Sequence, residues 1–282
     1  FRNPVEEEDM LTVRLREAFL DLAVECVSVI GCRVSPAQKA QMVRFVQAHL
    51  DPVSLAIGDG ANDVDMIREA NIGIGISGEE GGQAALAADY ALAQFRFLLP
   101  LLLVHGHWCY HRISTLIFYC FYKNMALTLI PFWFVFFNGF SGQTFVERWT
   151  IAMYNTLFTA LPIITMGLYD QVLRRTSLLQ YPKLYYRGQD NKYFDGWAFA
   201  SWVASAVFHS IVFFFFVEAA LAHNVHGPDG RVFGLFSNGV HIFTAVVIAV
   251  NLKAALELST WNIVTVSALA ASLVLYFGWL VG

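Results

Sequence analysis

The chain has 282 residues, 57% of them hydrophobic, and a mean hydropathy of +0.52, above the ~45–50% apolar share of an ordinary soluble domain. Charge is unevenly divided: residues 1–112 carry 9 Lys or Arg against 15 Asp or Glu, and residues 113–282 carry 9 against 7. An acidic, polar third joined to an apolar remainder excludes a disordered chain, a collagen-like chain and a basic nucleic-acid binder. Cys26, Cys32, Cys109 and Cys120 form no CxxC pair, so neither a disulfide scaffold nor a zinc ribbon is indicated. The chain starts at Phe1 without a signal-peptide pattern and reads as a fragment.

In the first third, Leu11–Val24 is expected to form an amphipathic helix with Leu11, Leu15, Phe19 and Leu22 on one face. Apolar and polar segments then alternate: a strand over Val27–Ile30, a helix over Pro36–Ala48, a strand over Val53–Ile57, a helix over Asn62–Ala70, a strand over Ile72–Ile76 and a helix over Glu80–Ala87. Such alternation predicts a parallel sheet flanked by helices, with its site at the carboxyl ends of the strands.

Two polar clusters fall at those ends. Gly58-Asp59-Gly60-Ala61-Asn62-Asp63 follows a buried strand and leads into a helix. Its glycines permit close backbone approach, and Asp59 and Asp63 offer hard carboxylate oxygens suited to a divalent cation completed by a phosphate. Asn62 and the helix start add donors for anionic oxygens. The plainer alternative is an Asp-Gly turn followed by a helix cap. The second cluster, Arg33-Val34-Ser35-Pro36-Ala37-Gln38-Lys39, places Lys39 one turn into a helix, where it could neutralise a phosphoryl group as a point charge. By itself a surface helix lysine is the commoner reading.

Further along, His105-Gly106-His107-Trp108-Cys109-Tyr110-His111 reads as an interfacial stalk rather than a metal site, with Pro100 and Gly106 suggesting a bend. Five apolar stretches follow, over 113–137, 149–169, 197–217, 238–256 and 261–281. Each reaches the ~20 residues needed to cross a bilayer. Trp149, Trp197 and Trp261 stand at span starts, as interfacial anchors do. The loop Asp170–Gly196 holds Arg174, Arg175, Lys183, Arg187 and Lys192, which assigns it, and with it residues 1–112, to the cytosol. A turn, Gly-Pro-Asp-Gly, is expected at 227–230.

The two clusters, with Gly73-Ile74-Gly75-Ile76-Ser77-Gly78 and Ala88-Asp89-Tyr90, resemble the phosphorylation domain of P-type ATPases. Ile117–Asn124 (Ile-Phe-Tyr-Cys-Phe-Tyr-Lys-Asn), Asn138-Gly139-Phe140-Ser141-Gly142-Gln143 and Tyr154–Pro162 are similar to the fifth helix, following loop and sixth helix of the type-IV subfamily, the lipid flippases. The fold so implied is an α/β haloacid-dehalogenase-like (Rossmann-like) partial domain followed by an all-α polytopic transmembrane bundle. Residues 1–93 would be the C-terminal part of the phosphorylation domain, 94–112 a stalk, and 113–282 a transmembrane domain reaching about the ninth span. The resemblance implies Mg²⁺ at Asp59 and Asp63, phosphoryl contacts from Lys39 and Asn62, and ATP as substrate. It also implies a two-span glycosylated accessory beta subunit of the cell division control protein 50 family. Residence would be a eukaryotic Golgi, endosomal or plasma membrane. The family's Asp-Lys-Thr-Gly-Thr nucleophile motif does not occur in these residues, so this segment would hold half an active site.

Ion pumps of that superfamily use carboxylates inside the membrane. Here the first two spans contain no Asp or Glu. Lys123 lies ten residues into the first span, ~15 Å deep at 1.5 Å per residue, with Asn124 beside it and Asn155 and Thr159 in the second span ahead of Pro162. A positive, amide-lined patch suits a phosphate or carboxylate headgroup and disfavours Ca²⁺ or Na⁺; a lysine paired structurally with a further helix is the other reading. The expectation is ATP-driven movement of a phospholipid, phosphatidylserine or phosphatidylethanolamine, from the outer or luminal leaflet to the cytosolic one. A cation pump is disfavoured by the missing membrane carboxylates, and a receptor or channel by the intact Gly58–Asp63 motif.

Overall fold

The structure, a computed structural model, describes residues 4–77, 82–222 and 234–281 and divides into two compact units, Phe1–Leu99 and Pro100–Gly282. The expected turn at 227–230 and the start of the helix expected at Glu80 lie outside the described residues.

The N-terminal unit is built on a three-stranded parallel sheet, β1 (Leu55–Gly58), β2 (Ile72–Ile76) and β3 (Tyr90–Leu92), in that order. Leu55 pairs with Ile72 and Gly58 with Gly75, while Ile74 pairs with Tyr90. Ala56, Ile67, Ile74 and Ala84 form its buried centre. Five helical segments accompany it: α1 (Pro4–Glu25), α2 (Pro36–Leu50), a 3-10 turn (Ala61–Asp63), α3 (Val64–Glu69) and α4 (Gln83–Ala87), of which α3 and α4 pack on the strands. The start of α2 is fixed by a capping box. Ser35 Oγ accepts from the Gln38 amide at 3.4 Å and Gln38 Oε1 accepts from the Ser35 amide at 2.9 Å, with Pro36 pre-setting the first turn. Asn71 ties the sheet's open end, its Oδ1 accepting from the Ser54 amide at 2.9 Å and from Gln47 Nε2 at 3.1 Å. Asp89 anchors the other side, accepting from the Gly73 amide at 2.8 Å.

One expectation needs correction here, and one helix face is more exposed than its pattern suggests. Val27–Ile30 is not a strand: Val27 and Ile30 are exposed and no ladder hydrogen bonds reach them among the described residues, so the apolar run has no neighbour to pair with. The third strand is instead β3, whose three residues are too few to carry a periodic signal. In α1 the stripe of Leu15, Phe19 and Leu22 is exposed and Leu20 is the buried residue; only Phe19 of the stripe makes a ring contact, 6.5 Å from Phe45 of α2.

The C-terminal unit is helical. A π-helical stretch, Leu101–Gly106, leads into α5 (His107–Val135). The bend expected at Pro100 and Gly106 is thus a widened helical turn rather than a break. The second span is α6 (Arg148–Met153), a π-helical stretch (Tyr154–Phe158) and α7 (Ala160–Tyr169). A short helix α8 (Arg175–Gln180) follows within the basic loop, then α9 (Gly196–Ala222), α10 (Leu235–Glu257) and α11 (Ile263–Val281). Five helical segments among the described residues are long and apolar enough to cross a membrane, and the unit is a bundle of such helices in which α9 packs along α5 and α11 along α7.

Its core mixes large aromatic residues with small polar ones. Tyr119 donates to the Val250 carbonyl at 3.0 Å, Trp133 Nε1 donates to Ser210 Oγ at 3.1 Å, and Tyr122 shares a hydrogen bond with His209 Nδ1 at 2.8 Å. Small residues and inter-helix hydrogen bonds are what packs helices when the surrounding solvent is itself apolar. The segment between α5 and α6 folds back into the bundle, burying Phe145 and Val146. Gly239 on α10 makes room for it, since a Cβ there would collide with the Phe145 carbonyl.

His107 is buried, and His107 and His111 both pack edge-on against Tyr193 of the basic loop, at 5.6 and 5.1 Å. Trp108 donates to the Leu173 carbonyl at 2.8 Å. The basic loop covers this face.

Candidate functional site

In the N-terminal unit the geometry grows from the capping box. By fixing where α2 begins, Ser35 and Gln38 fix the direction in which Lys39 leaves the first turn, and its Nζ meets Asp63 Oδ1 at 2.7 Å. The two clusters, 24 residues apart in sequence, are thereby joined at the carboxyl end of β1. Gly58 closes the arrangement. A Cβ at this position would collide with the Asp63 side chain, so only glycine lets Asp63 fold back over the strand end. Asp63 Oδ2 also accepts from the Asp59 amide at 3.4 Å.

Asp59 and Asn62 are exposed, and among the described residues their side chains make no hydrogen bond. The loop therefore presents one free carboxylate, one free amide and a partly exposed lysine oriented by an ion pair with its own aspartate. This set suits an Mg²⁺ ion, which is bound by one or two carboxylates and completes its shell with water and phosphate oxygens. It does not make a closed cage: among the described residues no three His, Cys, Asp or Glu gather around a common point.

In the helical unit, Lys123 on α5 is 4% exposed, and its Nζ donates to Thr159 Oγ1 at 2.9 Å. Thr159 in turn donates to the Tyr154 carbonyl at 2.7 Å, and the Tyr154 hydroxyl returns to the Lys123 carbonyl at 3.0 Å. The ammonium lies 5.7 Å from the Tyr154 ring centroid. No carboxylate pairs with it among the described residues. A buried cation is thus held by a hydroxyl and a ring face, and among the described residues its remaining N–H donors have no hydrogen-bond acceptor. Asn124 and Asn155 are exposed on the same two spans, and no hydrogen bond links either to Lys123.

Thr159 owes its position to Pro162. Proline has no N–H, so the Phe158 carbonyl four residues earlier loses its helical donor. The helix widens over Tyr154–Phe158, and Thr159 adopts φ −136°, ψ −1° before α7 resumes. Residues the sequence reading did not single out fill this gap. Asn251 Nδ2 on α10 donates to Phe158 O at 3.2 Å, and Ser272 Oγ on α11 donates to the same oxygen. The readable signal was a span proline facing spans that carry isolated small polar residues. Asp170 was also missed. It is 1% exposed, accepts from the Ser259 and Thr260 amides at 2.9 Å each, and its carbonyl takes the Arg112 guanidinium, stapling the end of α7 to the α10–α11 link and to α5.

A bundle of membrane-length helices defines a multi-pass membrane protein. Residues 85–282 match the family described as phospholipid-translocating P-type ATPase C-terminal. The chain is 46% identical over 261 residues to Phospholipid-transporting ATPase IC of Homo sapiens, which covers 92% of this chain and 21% of that protein. It is 45% identical over 249 residues to Probable phospholipid-transporting ATPase 4 of Arabidopsis thaliana (88% of this chain, 20% of that protein). Against Phospholipid-transporting ATPase C887.12 of Schizosaccharomyces pombe it is 44% identical over 266 residues (94% and 21%). The chain belongs to the phospholipid-translocating, type-IV P-type ATPase family. It spans about a fifth of the length of the curated relatives it matches.

Proposed function

We propose that this chain is the part of an ATP-driven phospholipid translocase that carries half of its phosphoryl-handling site and the membrane helices along which lipid moves. The observation that carries this reading is Lys123: a cation buried in the first span, joined to the second span through Thr159, in two spans without a carboxylate. A cation-transport site needs the opposite charge at that place. An anionic headgroup group, phosphate or carboxylate, is what a buried ammonium with unused donors attracts. The substrate is an aminophospholipid, taken from the outer or luminal leaflet to the cytosolic one, with Asn124 and Asn155 adding amide contacts on the exposed faces beside Lys123.

The N-terminal unit is the C-terminal part of a haloacid-dehalogenase-like phosphorylation domain. Residues 1–93 belong to that domain, 94–112 form the stalk and 113–282 the transmembrane domain. Lys39, oriented by Asp63, presents positive charge to the transferred phosphoryl group, and Asn62 donates to its oxygens. Mg²⁺, held by Asp59 with Asp63 behind it, supplies charge neutralisation at the phosphoryl oxygens when bound. The basic loop Asp170–Gly196 and residues 1–112 face the cytosol of a eukaryotic Golgi, endosomal or plasma membrane. A two-span accessory subunit contacts the opposite side, at the loops around 138–148 and 223–236.

The test is Lys123→Ala in the full-length transporter. The lipid concentration giving half-maximal ATPase stimulation should rise, with phosphorylation by ATP preserved. A stable variant with unchanged half-maximal lipid concentration overturns the lipid path.

A further inference from the structure

Among the described residues, the Phe158 carbonyl is the one acceptor in the second span on which two other helices converge. Asn251 of α10 donates to it at 3.2 Å and Ser272 of α11 donates to it as well. Both side chains are buried, at 2% and 0% exposure. Asn251 also donates to the Val247 carbonyl at 2.8 Å. Because both of its partners are carbonyls, the amide nitrogen must face them, and the orientation of the side chain is fixed. Its Oδ1 is then buried with no partner among the described residues. An unsatisfied acceptor in an apolar interior is costly, so the amide is spending one end to hold Phe158 with the other.

What that holds is the turn that carries Thr159. Pro162 supplies no N–H, so Phe158 O lacks its helical donor, and in the observed widened turn the two external donors satisfy it instead. Thr159, at φ −136° and ψ −1°, then aims its hydroxyl at Lys123. We infer that Asn251 and Ser272 are positioning residues: from the fourth and fifth spans they keep the second span open at Phe158, and so set the geometry of the Lys123–Thr159 pair that meets the transported lipid. Neither touches Lys123. Their influence passes through one carbonyl and one turn. The inference rests on the lipid reading of Lys123 for its functional half and on geometry alone for its structural half.

The experiment uses the full-length transporter carrying Ser272→Ala, Asn251→Leu or both, purified and reconstituted in phosphatidylcholine vesicles with graded phosphatidylserine. Hydrogen exchange of the peptide spanning 154–162 should accelerate in the variants while that of α9 stays as in wild type. The half-maximal phosphatidylserine concentration should rise about tenfold in the double variant, equivalent to ~1.4 kcal/mol, with the maximal rate of phosphorylation by ATP within about twofold. Ser272→Ala removes a single oxygen and serves where the larger change impairs folding; Ser272→Thr, which keeps the hydroxyl, should restore both readouts. Unchanged exchange at 154–162 overturns the positioning role outright. Accelerated exchange with an unchanged half-maximal concentration, in a protein whose wild type is lipid-stimulated, overturns the link to the lipid site. If the wild type itself shows no lipid stimulation, the translocase reading fails, and exchange at 154–162 alone then decides the structural role.

Discussion

In the N-terminal unit polar chemistry lies at the surface, on a loop brought close to a strand end by glycine, whereas in the helical unit it lies inside. Asp59 and Asn62 face solvent and need no partner from the fold. Lys123, Thr159, Ser210, Asn251 and Ser272 are buried, and every one is bonded to a helix other than its own. The difference follows from the solvent each unit meets. Water can satisfy an exposed carboxylate, so the loop can wait for its ligand with its groups free. A bilayer core cannot, so the polar groups placed there draw the partners they have from within the bundle. A site exposed to water is therefore assembled by local turns, and one inside a bundle by contacts between distant spans.

The sharpest way to break the second half of that contrast is Gly239→Val. The backbone of the returning segment sits against α10 at this glycine, and a Cβ there would strike the Phe145 carbonyl. Backbone cannot step aside as a flexible side chain does. The expected cost is about 3 kcal/mol, the upper end for overpacking, read as a lowered unfolding temperature of the detergent-purified protein. Gly278→Ala on α11, whose Cβ would meet nothing within 4 Å, is the control and should leave that temperature unchanged.

Asp170→Ala comes next. Removing the carboxylate leaves the Ser259 and Thr260 amides without their acceptor and loosens the end of the second span from the α10–α11 link. Hydrogen bonds to a charged group contribute ~1.5–3 kcal/mol each, and solvent reaching the site should recover part of that, so a net loss of ~2 kcal/mol is expected. Cysteine accessibility at Ser259 should rise in parallel. A variant as stable as wild type would show that the link is held by helix packing alone.

The same contrast explains what the sequence made visible. The hexapeptide Gly58–Asp63 and the capping box at Ser35 are contiguous, and local rules suffice to read them. The long apolar helices were legible from hydropathy, their bounds agreeing within a few residues for α10 and α11. The partner of Lys123 was not legible, because hydropathy fixes where a helix crosses but not how it is rotated. Thr159 was visible only as a residue of the second span, and Asn251 and Ser272 only as small polar residues of later spans. Val27–Ile30 failed for a related reason. Its apolar run satisfies the strand pattern, but a strand is a relation between two segments, and among the described residues none pairs with it. β3 is the converse, three residues made a strand by β2 beside it.

The smallest expected effect tests the first half of the comparison, that polar groups of the N-terminal unit sit where water governs them. Arg44 of α2 grips Glu69 of α3 with two hydrogen bonds, Nε to Oε1 at 2.8 Å and an Nη to Oε2 at 2.5 Å. The hydrogen bonds from Arg44 hold the Glu69 carboxyl below its ordinary range, and those to Glu69 raise the guanidinium further above its own. A carboxyl whose folded value is depressed contributes stability that is fully present above the unfolded value, ~4.3 for a glutamate, and is lost as pH falls through the folded one. Arginine stays charged throughout and adds no slope of its own. The pair is exposed, so salt should screen it within a Debye length of ~10 Å at 0.1 M. Comparing wild type with Glu69→Gln, hydrogen exchange of α2 amides should differ slightly at neutral pH and low salt. The difference should vanish on acidification below the carboxylate range and shrink in high salt. The loss caused by Asp170→Ala, whose carboxylate is buried, should hardly respond to salt. Equal salt sensitivity at the two sites would remove the distinction between a water-governed unit and a self-satisfied one.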